Sequence, residues 1–144
     1  MTTVLIHEAL RLLREQMDPS VEMALTLDVV PSEDIAALLQ MHELDSDRKV
    51  TILACCILIR MAVMKHRRLS AEDNEQLTRA ILDGDYLSGL VYRLASRRKE
   101  WKLLGMLTPL QKRMQLALLR GRAAEGLFAE QRQHIAEYLN RSCA

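Results

Sequence analysis

An all-α fold is the expectation for this 144-residue chain, and three observations carry it. Aromatic residues are only 3% of the sequence, while Leu, Ala, Met, Arg, Glu and Gln, which favour helices, dominate. Apolar residues recur three and four apart along most of the chain, the spacing that lines one face of a helix. The 49% hydrophobic and 27% charged balance is that of a folded globular protein large enough to bury a core. We expect one all-helical domain over residues 1–144, built from about six to seven helices.

The elements follow in order. Leu5, Ala9, Leu12 and Leu13 mark an amphipathic first helix ending near Met17. Asp18 as N-cap and Pro19 at the first helical position then suit a short second helix, broken by Val29-Val30-Pro31-Ser32. Ser32 is placed to cap the next helix, whose first turn puts Glu33 and Asp34 at the positive end of the dipole. Ile35, Leu38, Leu39 and His42 form its inner face. Asp45, Ser46 and Asp47 open an apolar helix over 48–65, closed by the cations Lys65 to Arg68. Ser70-Ala71-Glu72-Asp73 reads as a capping box with Asp in place of Glu.

A long helix then runs to about Ala95. Trp101, Leu104, Leu107, Leu110, Met114, Ala117 and Leu118 continue the apolar pattern, which Pro109 is expected to kink or divide. Gly121 and Gly126 mark a weak point before a terminal helix through Phe128, Ile135, Tyr138 and Leu139.

Charge is unevenly placed. Residues 1–47 hold ten acidic and two basic residues, while 48–144 hold eighteen basic and nine acidic ones. The basic part suits an anionic partner; equally, the two parts can attract each other within one fold. The clusters Arg67-Arg68, Arg97-Arg98-Lys99, Lys112-Arg113 and Arg120/Arg122 lack interleaved aromatics and any nucleic-acid motif, so no nucleic-acid partner is expected.

Catalytic and metal signatures are absent from the sequence. Four isolated histidines offer no paired-ligand spacing, and there is no P-loop, GxGxxG turn or DDxxD. Asp83 and Asp85 diverge by about 160° on a helix and cannot share an ion. Cys55 and Cys56, adjacent in an apolar helix, and Cys143 make no disulfide framework, which points to reduced thiols and a cytoplasmic protein. The stretch Val50–Ile59 is cut by Arg60 and is too short to cross a bilayer, so no transmembrane segment is expected.

The densest signal is Leu82-Asp83-Gly84-Asp85-Tyr86-Leu87-Ser88-Gly89-Leu90-Val91-Tyr92. Two glycines stand in a helix interior, each costing roughly 1 kcal/mol against alanine. Ala80, Gly84 and Ser88 recur every fourth residue and allow another helix to approach the backbone. Tyr86 and Tyr92 bring polar tips that seek partners when buried. Residues 77–95 resemble the GDY(F/L)SGLYY-type helix of component I of bacterial heptaprenyl and hexaprenyl diphosphate synthases, the small non-catalytic subunits of two-component trans-polyprenyl diphosphate synthases. The match is sharp over 82–92 and loose over 48–120; Val91 replaces a usual aromatic residue.

The resemblance implies part of the isoprenoid-synthase helical fold. It implies a regulatory subunit, inactive alone, that pairs with a catalytic large subunit as a heterodimer or a dimer of heterodimers. That partner would supply the Mg²⁺ sites and bind the isopentenyl and allylic diphosphates, in making menaquinone side chains. Where catalytic relatives carry an aspartate-rich motif, this chain reads His66-Arg67-Arg68-Leu69-Ser70 and holds no cofactor of its own. Ala80, Gly84, Asp85, Tyr86, Leu87, Ser88, Gly89 and Tyr92 are the expected partner-interface residues; none is expected to be catalytic. Two rival readings are a stand-alone helical adaptor with no enzymatic link and a nucleic-acid-binding regulator.

Overall fold

A helix that is apolar on every side has to be surrounded, and the third helix is built that way. In the computed structural model, which describes residues 2–17, 30–66 and 74–142, every residue from Thr51 to Val63 is buried. Six helices run α1 (Thr2–Gln16), α2 (Glu33–Gln40), α3 (Ser46–His66), α4 (Asn74–Arg97), α5 (Trp101–Leu119) and α6 (Ala124–Ser142), with no strand among the described residues. α3 touches all five others, and α4 is its most extensive neighbour. One core joins Leu5, Leu13, Ile35, Leu39, Leu53, Ile57, Leu87, Leu107, Ile135 and Leu139. The short helix expected after Asp18 and the capping box at Ser70–Asp73 lie outside the described residues.

Burying residues 51–63 of α3 all round also buries the one cation in that stretch, Arg60, to 1% exposure. The core accepts it because all five guanidinium N–H groups are matched. Nη1 and Nη2 donate to the two Asp34 carboxylate oxygens at 2.8 and 2.9 Å. Nη1 also donates to the Pro31 carbonyl (2.9 Å), Nη2 to the Phe128 carbonyl (3.2 Å), and Nε to Gln131. The Phe128 ring lies 4.8 Å from Cζ, in cation–π range. Gln131 in turn donates to the Cys56 carbonyl at 3.3 Å. One arginine therefore ties α2 and α6 to α3. Burial would raise the Asp34 pKa, but the hydrogen bonds and charge of Arg60 outweigh it and hold it below the usual aspartate value.

Helix ends account for two departures from the sequence expectations, at Ser32 and Gly126. Ser32 stands at the α2 N-terminus without a side-chain capping bond; its backbone N–H donates to Glu33 Oε2 at 3.1 Å instead. α4 ends in a Schellman motif, with Glu100 N–H donating to the Ala95 carbonyl and Lys99 N–H to that of Ser96. Lys99, in the exposed basic cluster, therefore occupies the left-handed position at φ +58° that usually takes glycine. α5 ends the same way, with Gly121 at φ +90° supplying the left-handed residue. Gly126, expected at a weak point, is inside α6.

Pro109 does not divide its helix: α5 runs unbroken from Trp101 to Leu119. The proline ring opposes the carbonyl four residues back, that of Gly105, and both residues face solvent. Water is thus available to the carbonyl that loses its partner, while the inner residues Leu103, Leu107, Leu110 and Met114 stay packed. Trp101, expected with that inner row, is instead 61% exposed.

Candidate partner-binding face

α4 turns two different sides to its surroundings, and the segment 80–92 is split between them. Gly84, Leu87, Leu90, Val91 and Leu94 are buried against the bundle. Ser88 is half-buried and accepts a hydrogen bond from Gln111 Nε2 of α5, itself a buried side chain. Tyr86 is half-buried against the core. Asp85, Gly89 and Tyr92 face outward, with Ile81 one turn before them. The side chain of Ala80 lies outside what the structure describes.

The small-residue row at Gly84 and Ser88 thus serves the chain's own packing. That close approach is the use expected of such a row, but the neighbours are α3 and α5. Tyr92, expected to bring a partnered polar tip to an apolar segment, is exposed. Gly89 is the second helix-interior glycine, and a Cβ added there would meet nothing within 4 Å. No contact with the described residues requires glycine at this position.

Between α4 and α5 lies an open groove of ≈ 470 Å³. Asp85, Ser88 and Tyr92 form one wall, and Thr108, Pro109, Gln111, Lys112 and Gln115 the other. The first wall belongs to the 82–92 segment singled out in the sequence, and the second does not. Gln111 was the available signal, a polar residue inside the apolar row Leu107, Leu110, Met114. Asp85 and Lys112 put one charge of each sign on the rim, and Ser88 bonded to Gln111 forms part of the floor. Such a lining suits a mixed polar and apolar helix or loop better than a small anionic metabolite, which would call for converging cations.

Several other titratable groups are engaged structurally. Asp83 meets Lys65 of α3 at 3.8 Å, so Asp83 and Asp85 serve different surroundings. Glu100, buried between α4 and α5, takes a two-pronged bond from Arg48 at 2.8 and 3.1 Å. His42 reaches the Leu38 carbonyl at 3.1 Å and Asn140 Oδ1 at 3.2 Å, joining α2 to α6. Burial pushes both thiols up, Cys56 to about 12, so neither is a thiolate nucleophile near neutral pH. Among the described residues no cluster of three or more His, Cys, Asp or Glu could hold a metal ion. No helix among them is long and apolar enough to cross a membrane. Comparison with protein-family models, curated proteins and solved structures gives no match.

Proposed function

We propose that this chain is the small, non-catalytic subunit of a two-component trans-polyprenyl diphosphate synthase making medium or long prenyl chains for menaquinone. The observation that carries this reading is the segment 82–92: it resembles component I of such synthases, and its outer edge, Asp85, Gly89 and Tyr92, is left uncovered beside a groove. A partner helix laid along that edge would approach the α4 backbone at Gly89 and fill the groove against Pro109 and Gln115. The subunit then works by shape, ordering the catalytic partner and bounding the tunnel that limits chain length. Mg²⁺ in the partner neutralises the departing diphosphate when the allylic substrate ionises. This chain contributes no group to that step, and the pair would act in the cytoplasm.

The test mixes the purified chain with an aspartate-motif prenyl synthase subunit from the same cell. Polyprenyl diphosphate formed only by the mixture supports the proposal; no complex and no gain in activity reject it. Gly84 is buried in the chain's own bundle, so Gly84→Leu reports on folding. Gly89→Leu is the informative variant: it should leave the fold intact and weaken assembly at least tenfold. An adaptor without enzymatic link would use the same edge and would bind its target without polyprenyl synthesis.

A further inference from the structure

Basic charge is concentrated in one stretch of the chain. The Arg60–Asp34 pair joins the acidic first third to the basic remainder. Residues 86–122 hold nine basic residues and one acid, Glu100, which is buried and already bonded to Arg48. Lys102, Lys112, Arg113 and Arg120 are exposed along α5 and make no ion pair among the described residues.

The same helix exposes large apolar side chains in register with those cations. Trp101, Leu116 and Leu119 are 61%, 44% and 67% exposed. Trp101, Gly105, Pro109, Lys112, Leu116 and Leu119 are spaced four, four, three, four and three apart, so they share one outward face. Apolar groups at both ends of a helix roughly 27 Å long favour lying flat on a surface over pointing an end into it. Cations flank this row along its length, where their aliphatic stems can extend toward a charged layer.

We propose that the outer face of α5 docks on an anionic lipid bilayer, with Trp101, Leu116 and Leu119 entering the headgroup boundary and Lys102, Lys112, Arg113 and Arg120 meeting lipid phosphates. Charge complementarity selects the anionic surface, and the exposed indole and leucines select lipid over nucleic acid, whose phosphates would face those apolar groups. Attachment is through the outer face of α5, and no helix among the described residues is long and apolar enough to cross a membrane. This inference does not rest on the prenyl synthase reading, and the chain is tested alone.

Trp101 is the single tryptophan, so its emission reports directly on the docking face. The full chain is titrated with vesicles of one part phosphatidylglycerol to two parts phosphatidylcholine, and with pure phosphatidylcholine vesicles. The anionic vesicles should shift Trp101 emission to the blue and sediment the protein, with binding weakened by salt. Lys112→Glu/Arg113→Glu and Leu116→Ser/Leu119→Ser, all at exposed positions, should each reduce binding by about tenfold or more. No blue shift with anionic vesicles overturns the proposal. So does vesicle binding that the leucine variants leave unchanged, or duplex DNA held as tightly as the vesicles. A shift produced by an acidic protein partner but not by vesicles would assign the face to that partner and also overturn it.

Discussion

Removing the Asp34 carboxylate leaves a guanidinium in the core without its counter-ion, and the consequence can be worked from the geometry. Breaking a buried ion pair from one side costs about 3–5 kcal/mol. The lower end applies here for two reasons. Arg60 keeps Gln131, the Pro31 and Phe128 carbonyls and the Phe128 ring, and the Asp34 side chain is 38% exposed, so water can enter where it stood. Asp34→Ala should therefore destabilise the protein by about 3 kcal/mol.

Arg60→Met removes the charge but takes a hydrogen-bond donor from Gln131, from the Pro31 and Phe128 carbonyls and from Asp34, at a cost of about 1–3 kcal/mol for an acceptor left buried and unpaired. The decisive variant is the pair. If an unpaired buried charge is the main penalty, adding Arg60→Met to Asp34→Ala should recover about 1 kcal/mol instead of adding a second loss. Urea unfolding followed by far-UV circular dichroism gives all three values. A double variant less stable than Asp34→Ala alone would refute the reasoning.

The same ion pair sets an acid limit. The folded pKa of Asp34 lies below its unfolded value near 3.8, so its contribution is complete above that value and is lost as pH falls through the lower folded pKa. Thermal midpoints of wild type and Arg60→Met should converge at the acid end of a pH series below 4. Lys99→Gly relieves the left-handed strain at φ +58° and should stabilise the chain by about 0.5–1 kcal/mol in a chemical melt. Gly89→Ala, with open space around the new methyl group, should stabilise the isolated chain by up to about 1 kcal/mol; loss of stability would show that glycine is needed by the fold itself. Mass mapping after alkylation should find Cys55 and Cys56 unmodified in native protein and modified once it is unfolded, because both are buried.

Fold class and most elements were legible because helical periodicity is local. The apolar faces of α1, α2 and α6 lie where residue spacing puts them, and the continuous apolar run of α3 marks it as the central helix. The misplaced features have local sequence patterns that only distant partners or solvent resolve. Arg60 reads as an interruption of an apolar run, yet it joins three helices because Asp34 and Gln131 stand 26 and 71 residues away in sequence. Pro109 reads as a break, and its helix continues because the affected turn faces water. Trp101 reads as core and is exposed at the first turn of α5.

The candidate face divides in the same way. Sequence alone marked 82–92 as a helix with a small-residue row and suggested what it resembles. It could not assign sides, since Gly84 and Gly89 look alike in a pattern. Tertiary packing put Gly84 against the bundle and Gly89 in the open, and brought Gln111 to Ser88 across 23 residues. Composition and spacing decide which residues form helices because those interactions reach only one turn. Which side of each helix remains uncovered depends on contacts between residues far apart in the chain, and these exist only once the bundle has closed.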